Sequence, residues 1–92
     1  MNNSGQSMAY SIQIKPSAQK DLLKLPPQNQ TRLLDAIQTL SVNPRPSGIK
    51  KLQEHELYRL RVGDYRIIYA IQDQELLILV ATIGHRKDVY RR

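Results

Sequence analysis

The apolar positions of this chain change period twice. Over residues 10–15, Tyr10, Ile12 and Ile14 alternate with Ser11, Gln13 and Lys15, the period of a half-buried strand. Pro16 ends that strand and suits the first turn of a helix. Over 17–25 the spacing of Ala18, Leu22 and Leu25, with Leu23 beside them, is helical. Pro26 and Pro27 stop this helix and start another over 28–42, with Leu33, Leu34, Ile37 and Leu40 expected on its buried face. The proline-rich stretch 43–48 cannot stay helical and is a loop. Residues 49–56 carry Lys50, Lys51, Glu54, His55 and Glu56, which make the stretch solvated, with Ile49 and Leu52 as anchors and His55 at the surface.

After residue 56 the period returns to that of strands. Residues 57–62 and 65–71 are β-branched and aromatic, and Gly63-Asp64 between them is a hairpin turn. A two-residue turn there opposes Val62 to Tyr65, Arg61 to Arg66, Leu60 to Ile67 and Arg59 to Ile68. Alternation then puts Tyr58, Leu60, Val62, Tyr65, Ile67 and Tyr69 on one face, and Arg59, Arg61 and Arg66 on the other. Asp73-Gln74 is a second turn. The following strand runs over 76–83, and its 76–81 part is apolar on both faces, which fits a strand with neighbours and cover on both sides. The expected class is α+β in the order β-α-α-β-β-β, a two-helix hairpin packed on one face of a small, mainly antiparallel sheet.

Ninety-two residues suit one small domain, read as 9–92 behind a lead-in of 1–8. No apolar run reaches the roughly 18–20 residues of a membrane span, and residues 1–7 lack the basic and apolar parts of a secretory signal. With no cysteine there is neither a disulfide framework nor a thiolate site. A cytoplasmic protein with no membrane partner is the simplest expectation. The formal charge of +6 suits nucleic acid or an acidic protein partner, without choosing between them.

Candidate chemistry lies in the hairpin and the end of the chain. Two arginines directly opposed cost up to about 1 kcal/mol, so Arg61 and Arg66, with Arg59 on the same face, are best explained by an anion they serve. A guanidinium fork binds phosphate bidentately and keeps its charge; the plain alternative is an idle, solvated face, and Arg66 is expected to be exposed. His85 follows the last strand. If the strand runs on through Gly84, His85 shares the parity of Ala81 and Ile83 and is expected to face the way Arg66 does. An imidazole there could act as acid or base; otherwise it is a turn residue. Tyr90 either packs the tail on the sheet or meets a substrate, and Lys50 and Lys51 are either a solvated pair or auxiliary RNA contacts. Two distant histidines and scattered carboxylates offer no metal-ligand spacing, and no cofactor motif is present.

The runs Leu57-Tyr58-Arg59-Leu60-Arg61, Asp64-Tyr65-Arg66-Ile67-Ile68-Tyr69 and Gly84-His85-Arg86-Lys87-Asp88-Val89-Tyr90 resemble the RelE/ParE superfamily of toxins from type II toxin–antitoxin pairs. Ala18-Gln19-Lys20-Asp21-Leu22 and Leu25-Pro26 fit as well. The resemblance extends from Met8 to Arg92 and implies the RelE-like fold. RelE-like members cut mRNA in the ribosomal A site without a metal, on the 30S subunit and against its rRNA; ParE-like members inhibit DNA gyrase. The resemblance makes a ribosome-dependent mRNA interferase the expected function, with a cognate antitoxin as partner and gyrase inhibition as the alternative. It implies that Arg66 stabilises the transition-state phosphate, Arg86 assists the leaving group and Tyr90 orients the substrate. Arg61 is expected in the catalytic set as well, and Arg59, Arg61, Arg66 and Lys87 join Lys50 and Lys51 as phosphate contacts. Arg59 and Arg61 stand where RelE-like toxins often have lysine. Arginine does not give up its proton, so His85 or Tyr90 is the expected base, or else the ribosome and positioning supply most of the effect. Only Arg91 and Arg92 follow Tyr90, so the longer C-terminal helix of some relatives is not expected.

Overall fold

The computed structural model describes residues 9–52 and 56–85; His55, Arg86, Lys87 and Tyr90 lie outside them. Strand β1 (Ser11–Ile14) is separated by Lys15 alone from helix α1 (Pro16–Leu23), and α2 (Pro27–Val42) follows after residues 24–26. Each helix opens on its proline, one residue earlier than the periodicity suggests. The ring sets φ near the helical value, and the missing N–H is one that a first turn leaves unbonded. Gln30 closes the link by donating its side-chain amide to the Leu25 carbonyl at 2.8 Å.

Four further strands complete the sheet: β2 (Lys50–Lys51), β3 (Leu57–Val62), β4 (Tyr65–Gln72) and β5 (Leu77–His85). Their order is β1-β5-β4-β3-β2, parallel between β1 and β5 and antiparallel elsewhere. The architecture is thus the expected α+β fold, with β2 as a short addition from the solvated stretch 49–56. The strand through 77–85 lies between two neighbours from Leu77 to Val80, and Gly84 does not break it. Leu76, expected inside it, instead ends the preceding turn with φ 52°.

One face of the sheet is covered by both helices. Ala18 and Leu22 from α1 and Leu33, Ile37 and Leu40 from α2 pack on Tyr58, Ile67, Tyr69, Ile71, Ile78, Val80 and Ile83. Leu34 was expected on the buried face but is 40% exposed. One residue rotates a helix by about 100°, and Leu33, Ile37 and Leu40 already fill the stripe. Tyr69 is fully buried, its hydroxyl donating to the Pro44 carbonyl at 2.8 Å, and burial pushes its pKa up to about 12.

A polar cluster ties three segments together at one end of the sheet. Arg45, in the loop after α2, pairs with Asp73 at 3.0 Å and lies over the Tyr58 ring. Tyr10, just before β1, donates to the same carboxylate at 2.6 Å. The hydrogen bond from Arg45, then that from Tyr10, hold the Asp73 carboxyl below the usual carboxylate range. A carboxyl whose pKa is lower folded than unfolded lends stability that is complete above the unfolded pKa, about 3.9, and lost as pH falls through the folded one. Asp73→Asn is therefore expected to lose less stability than the wild type between about pH 5 and pH 2.5. Urea midpoints across that range check it, and parallel curves would remove Asp73 from the acid response.

Candidate functional site

The β3–β4 hairpin has the register that its turn implies: Val62 opposes Tyr65, Arg61 opposes Arg66, Leu60 opposes Ile67 and Arg59 opposes Ile68. Gly63 takes φ +60°, which a residue with a Cβ rarely adopts, and the Arg32 guanidinium packs against it. Lys50 opposes Arg59 and Lys51 opposes Tyr58. Directly opposed residues share a face, so Lys50 joins Arg59, Arg61 and Arg66 on the side away from the helices. Lys51 belongs to the other side, where it lies 3.9 Å from Glu56.

Exposure separates the arginines. Arg61 is exposed and Arg59 half-buried, but Arg66 is only 3% exposed. The expectation of an exposed Arg66 is corrected. β4 has strands on both sides, so Arg66 has Arg61 on one flank and Gly84 of β5 on the other.

His85 also lies elsewhere than expected. Along β5, Val80 opposes Tyr69 but Thr82 already opposes Ile68, so Ala81 is an extra residue. A bulge of this kind shifts the alternation by one. Thr82 and Gly84 consequently share the face of Arg66, while Ile83 and His85 share that of Ile67 and Tyr65. Ile83 is buried under the helices, and the His85 ring meets Tyr65 edge-on with centroids 5.7 Å apart. The structure does not bring His85 onto the arginine face.

On the helix side His85 lines a cleft of about 560 Å³ with Asp21, Lys24, Leu25, Tyr65, Thr82, Ile83 and Gly84. Asn29 fixes its Tyr65 wall by donating to the phenol oxygen at 3.0 Å. A second groove of about 420 Å³ runs between α2 and β3, with Arg32 and Arg61 at its rim. Neither was visible in the sequence, because each joins elements from different parts of the chain. No group of three or more His, Cys, Asp and Glu able to hold a metal occurs among the described residues.

A sequence model described as the ParE toxin of type II toxin-antitoxin system, parDE, matches residues 12–90. The chain belongs to the RelE/ParE superfamily of type II toxins. It is 33% identical over 88 residues to RelE1 of Methanocaldococcus jannaschii, named as a toxin, covering 91% of this chain and 98% of that one. Toxin RelG of Mycobacterium tuberculosis is 32% identical over 91 residues, covering 92% and 100%. Among solved structures, the archaeal RelE–RelB complex from Pyrococcus horikoshii OT3 superposes with a TM-score of 0.78 at 29% identity, covering 91% of this chain and 99% of that one.

In this RelE/ParE-superfamily toxin the hairpin therefore supplies Arg59, Arg61 and Arg66, with Lys50 at the margin of the same face. The toxin's candidates Arg86, Lys87 and Tyr90 fall outside the described residues. Burial gives Arg66 a structural role that Arg61 lacks. An arginine stem packs as apolar surface, so Arg66→Ala is expected to cost about 1–3 kcal/mol of stability, against about 0.5 kcal/mol or less for exposed Arg61→Ala. Urea denaturation of the two variants checks this; equal losses would deny Arg66 its structural role.

Proposed function

We propose that this toxin is an endoribonuclease that cuts mRNA in the ribosomal A site, and that a cognate antitoxin silences it. The carrying observation is the arginine face, with Arg66 buried between Arg61 and Gly84 and Arg59 beside them. Fixed donors in a poorly solvated position stabilise developing charge more than solvated ones do, and need no reorganisation as the reaction proceeds. The names of its relatives support the RelE-like reading.

In the proposed reaction a ribose 2′-hydroxyl gives its proton to a base and attacks the adjacent phosphorus. The bond to the 5′-oxygen breaks, and that oxygen leaves with a proton as a hydroxyl, while the other product is a 2′,3′-cyclic phosphate. Arg66 meets the charge that develops on the phosphate oxygens, and Arg61 and Arg59 hold the flanking backbone. Lys50, on the same face, extends this track; Lys51 and Lys87 would add contacts with the RNA or the ribosome. Arg86 donates a hydrogen bond that polarises the leaving oxygen, and that oxygen takes its proton from solvent. Of the two bases expected from sequence, His85 faces the helices, so Tyr90 takes that role in this proposal. The antitoxin is expected to present an acidic, amphipathic segment to the arginine face.

The description of the matching family names ParE, which favours gyrase inhibition as the second reading. Induction of the toxin is expected to shorten a translated reporter mRNA within minutes while plasmid supercoiling stays unchanged. Primer extension beside a topology gel reads both. Intact transcripts with relaxed plasmid would replace the nuclease by the gyrase reading. Arg66→Ala is expected to lower single-turnover cleavage by about 2–4 kcal/mol in transition-state terms. Because Arg66 also supports the fold, the comparison is made at a temperature where a melt shows the variant folded; undiminished cleavage there would sink the assignment.

A further inference from the structure

We propose that the helix-side cleft is a nucleobase subsite for single-stranded RNA, reached over the open edge of β5 at Gly84. The proposal rests on the RNA reading given above. β1 pairs with β5 only up to Val80, and among the described residues no strand flanks β5 from Thr82 to His85 on that side. Gly84 opposes Arg66 across the sheet and also lines the cleft. It belongs to both sites and adds no side chain between them. An RNA chain whose phosphate sits at Arg66 can therefore cross the strand at Gly84 and place a neighbouring base on the helix side.

The cleft has the chemistry to take that base. Its volume of about 560 Å³ lies within the roughly 300–1,000 Å³ usual for small-ligand clefts. Tyr65 and His85 supply aromatic surface of the kind on which unpaired RNA bases stack. Their edge-on contact and the hydrogen bond from Asn29 to Tyr65 hold the wall in place before a ligand arrives. Leu25 and Ile83 add apolar surface, Lys24 offers a cation to a base carbonyl, and Asp21 accepts hydrogen bonds. A carboxylate favours a base edge rich in N–H donors, so guanine is favoured over uracil. The same placement accounts for a histidine that the bulge at Ala81 removes from the arginine face.

The test uses the full-length chain and two trinucleotides whose 2′-O-methyl groups block cleavage, one with guanine and one abasic at the same position. Affinities are read by fluorescence anisotropy for the wild type, Lys24→Glu, His85→Ala and Arg61→Ala, each first shown folded by its melt. Lys24 and His85 are exposed, so these changes leave the core untouched. Lys24→Glu and His85→Ala are each expected to weaken the guanine trinucleotide by about fivefold or more, as loss of a base platform does. The abasic one should stay within about twofold. Arg61→Ala should weaken both alike. If only Arg61→Ala has an effect, the cleft is no base site and the RNA reading stands. Equal weakening of both ligands by Lys24→Glu and His85→Ala overturns the base-specific role, leaving a general charge or shape effect. A wild-type chain that binds neither trinucleotide overturns this subsite, while the RNA reading is decided by the cleavage of translated mRNA described above.

Discussion

Side chains on a strand alternate between two faces, and a single extra residue reverses the assignment of every side chain beyond it. In β5 that residue is Ala81. Before it, Ile78 and Val80 point into the core; after it, Ile83 does, so the strand keeps an apolar face under the helices from Ile78 to Ile83. The same slip carries Thr82 and Gly84 to the side of Arg66 and His85 to the side of Tyr65. Packing under α1 and the layout of both candidate sites therefore depend on one local irregularity.

The arginine face is possible because the other face carries the stability. A core of leucine, isoleucine and tyrosine side chains lies between helices and sheet, and apolar burial contributes roughly 25 cal/mol per Å². Against that, opposing Arg61 to Arg66 is a small cost. The cost falls on the face that the proposed reaction uses. Arg45 shows the contrasting case: its charge is matched by Asp73, its ring contact is Tyr58, and it fastens a loop.

Much of the fold was legible in the sequence because the signals were local. The prolines at 16 and 27 mark helix starts, the Gly63-Asp64 turn sets the hairpin register, and the unbroken apolar run near residue 80 marks a central strand. The arginine face followed from alternation within that hairpin. The misses came from pairings between distant segments. The short β2 exists only because Lys50 and Lys51 find β3, and the burial of Arg66 depends on β5 as well as β3. The bulge is an agreement between two strands, and Gly84 drew attention to itself while Ala81 did not. The helix-side cleft needs α1, β4 and β5 together, so no single stretch announces it.

β1 lies beside β5 and parallel to it, so the first strand of the chain is completed by the last. The helical pair and the β3–β4 hairpin join near neighbours in sequence and need little loop closure, whereas the β1–β5 pairing spans most of the chain and closes late. On a ribosome, β1 waits until almost the whole polypeptide has emerged. A product that stops before residue 77 would contain Arg59, Arg61 and Arg66 yet lack the strand that flanks Arg66 and brings Gly84 beside it. Premature termination or removal of the C-terminal part of the chain thus dismantles the arginine face while leaving Arg59, Arg61 and Arg66 in place. A complete arginine face is therefore confined to chains that have been made nearly in full.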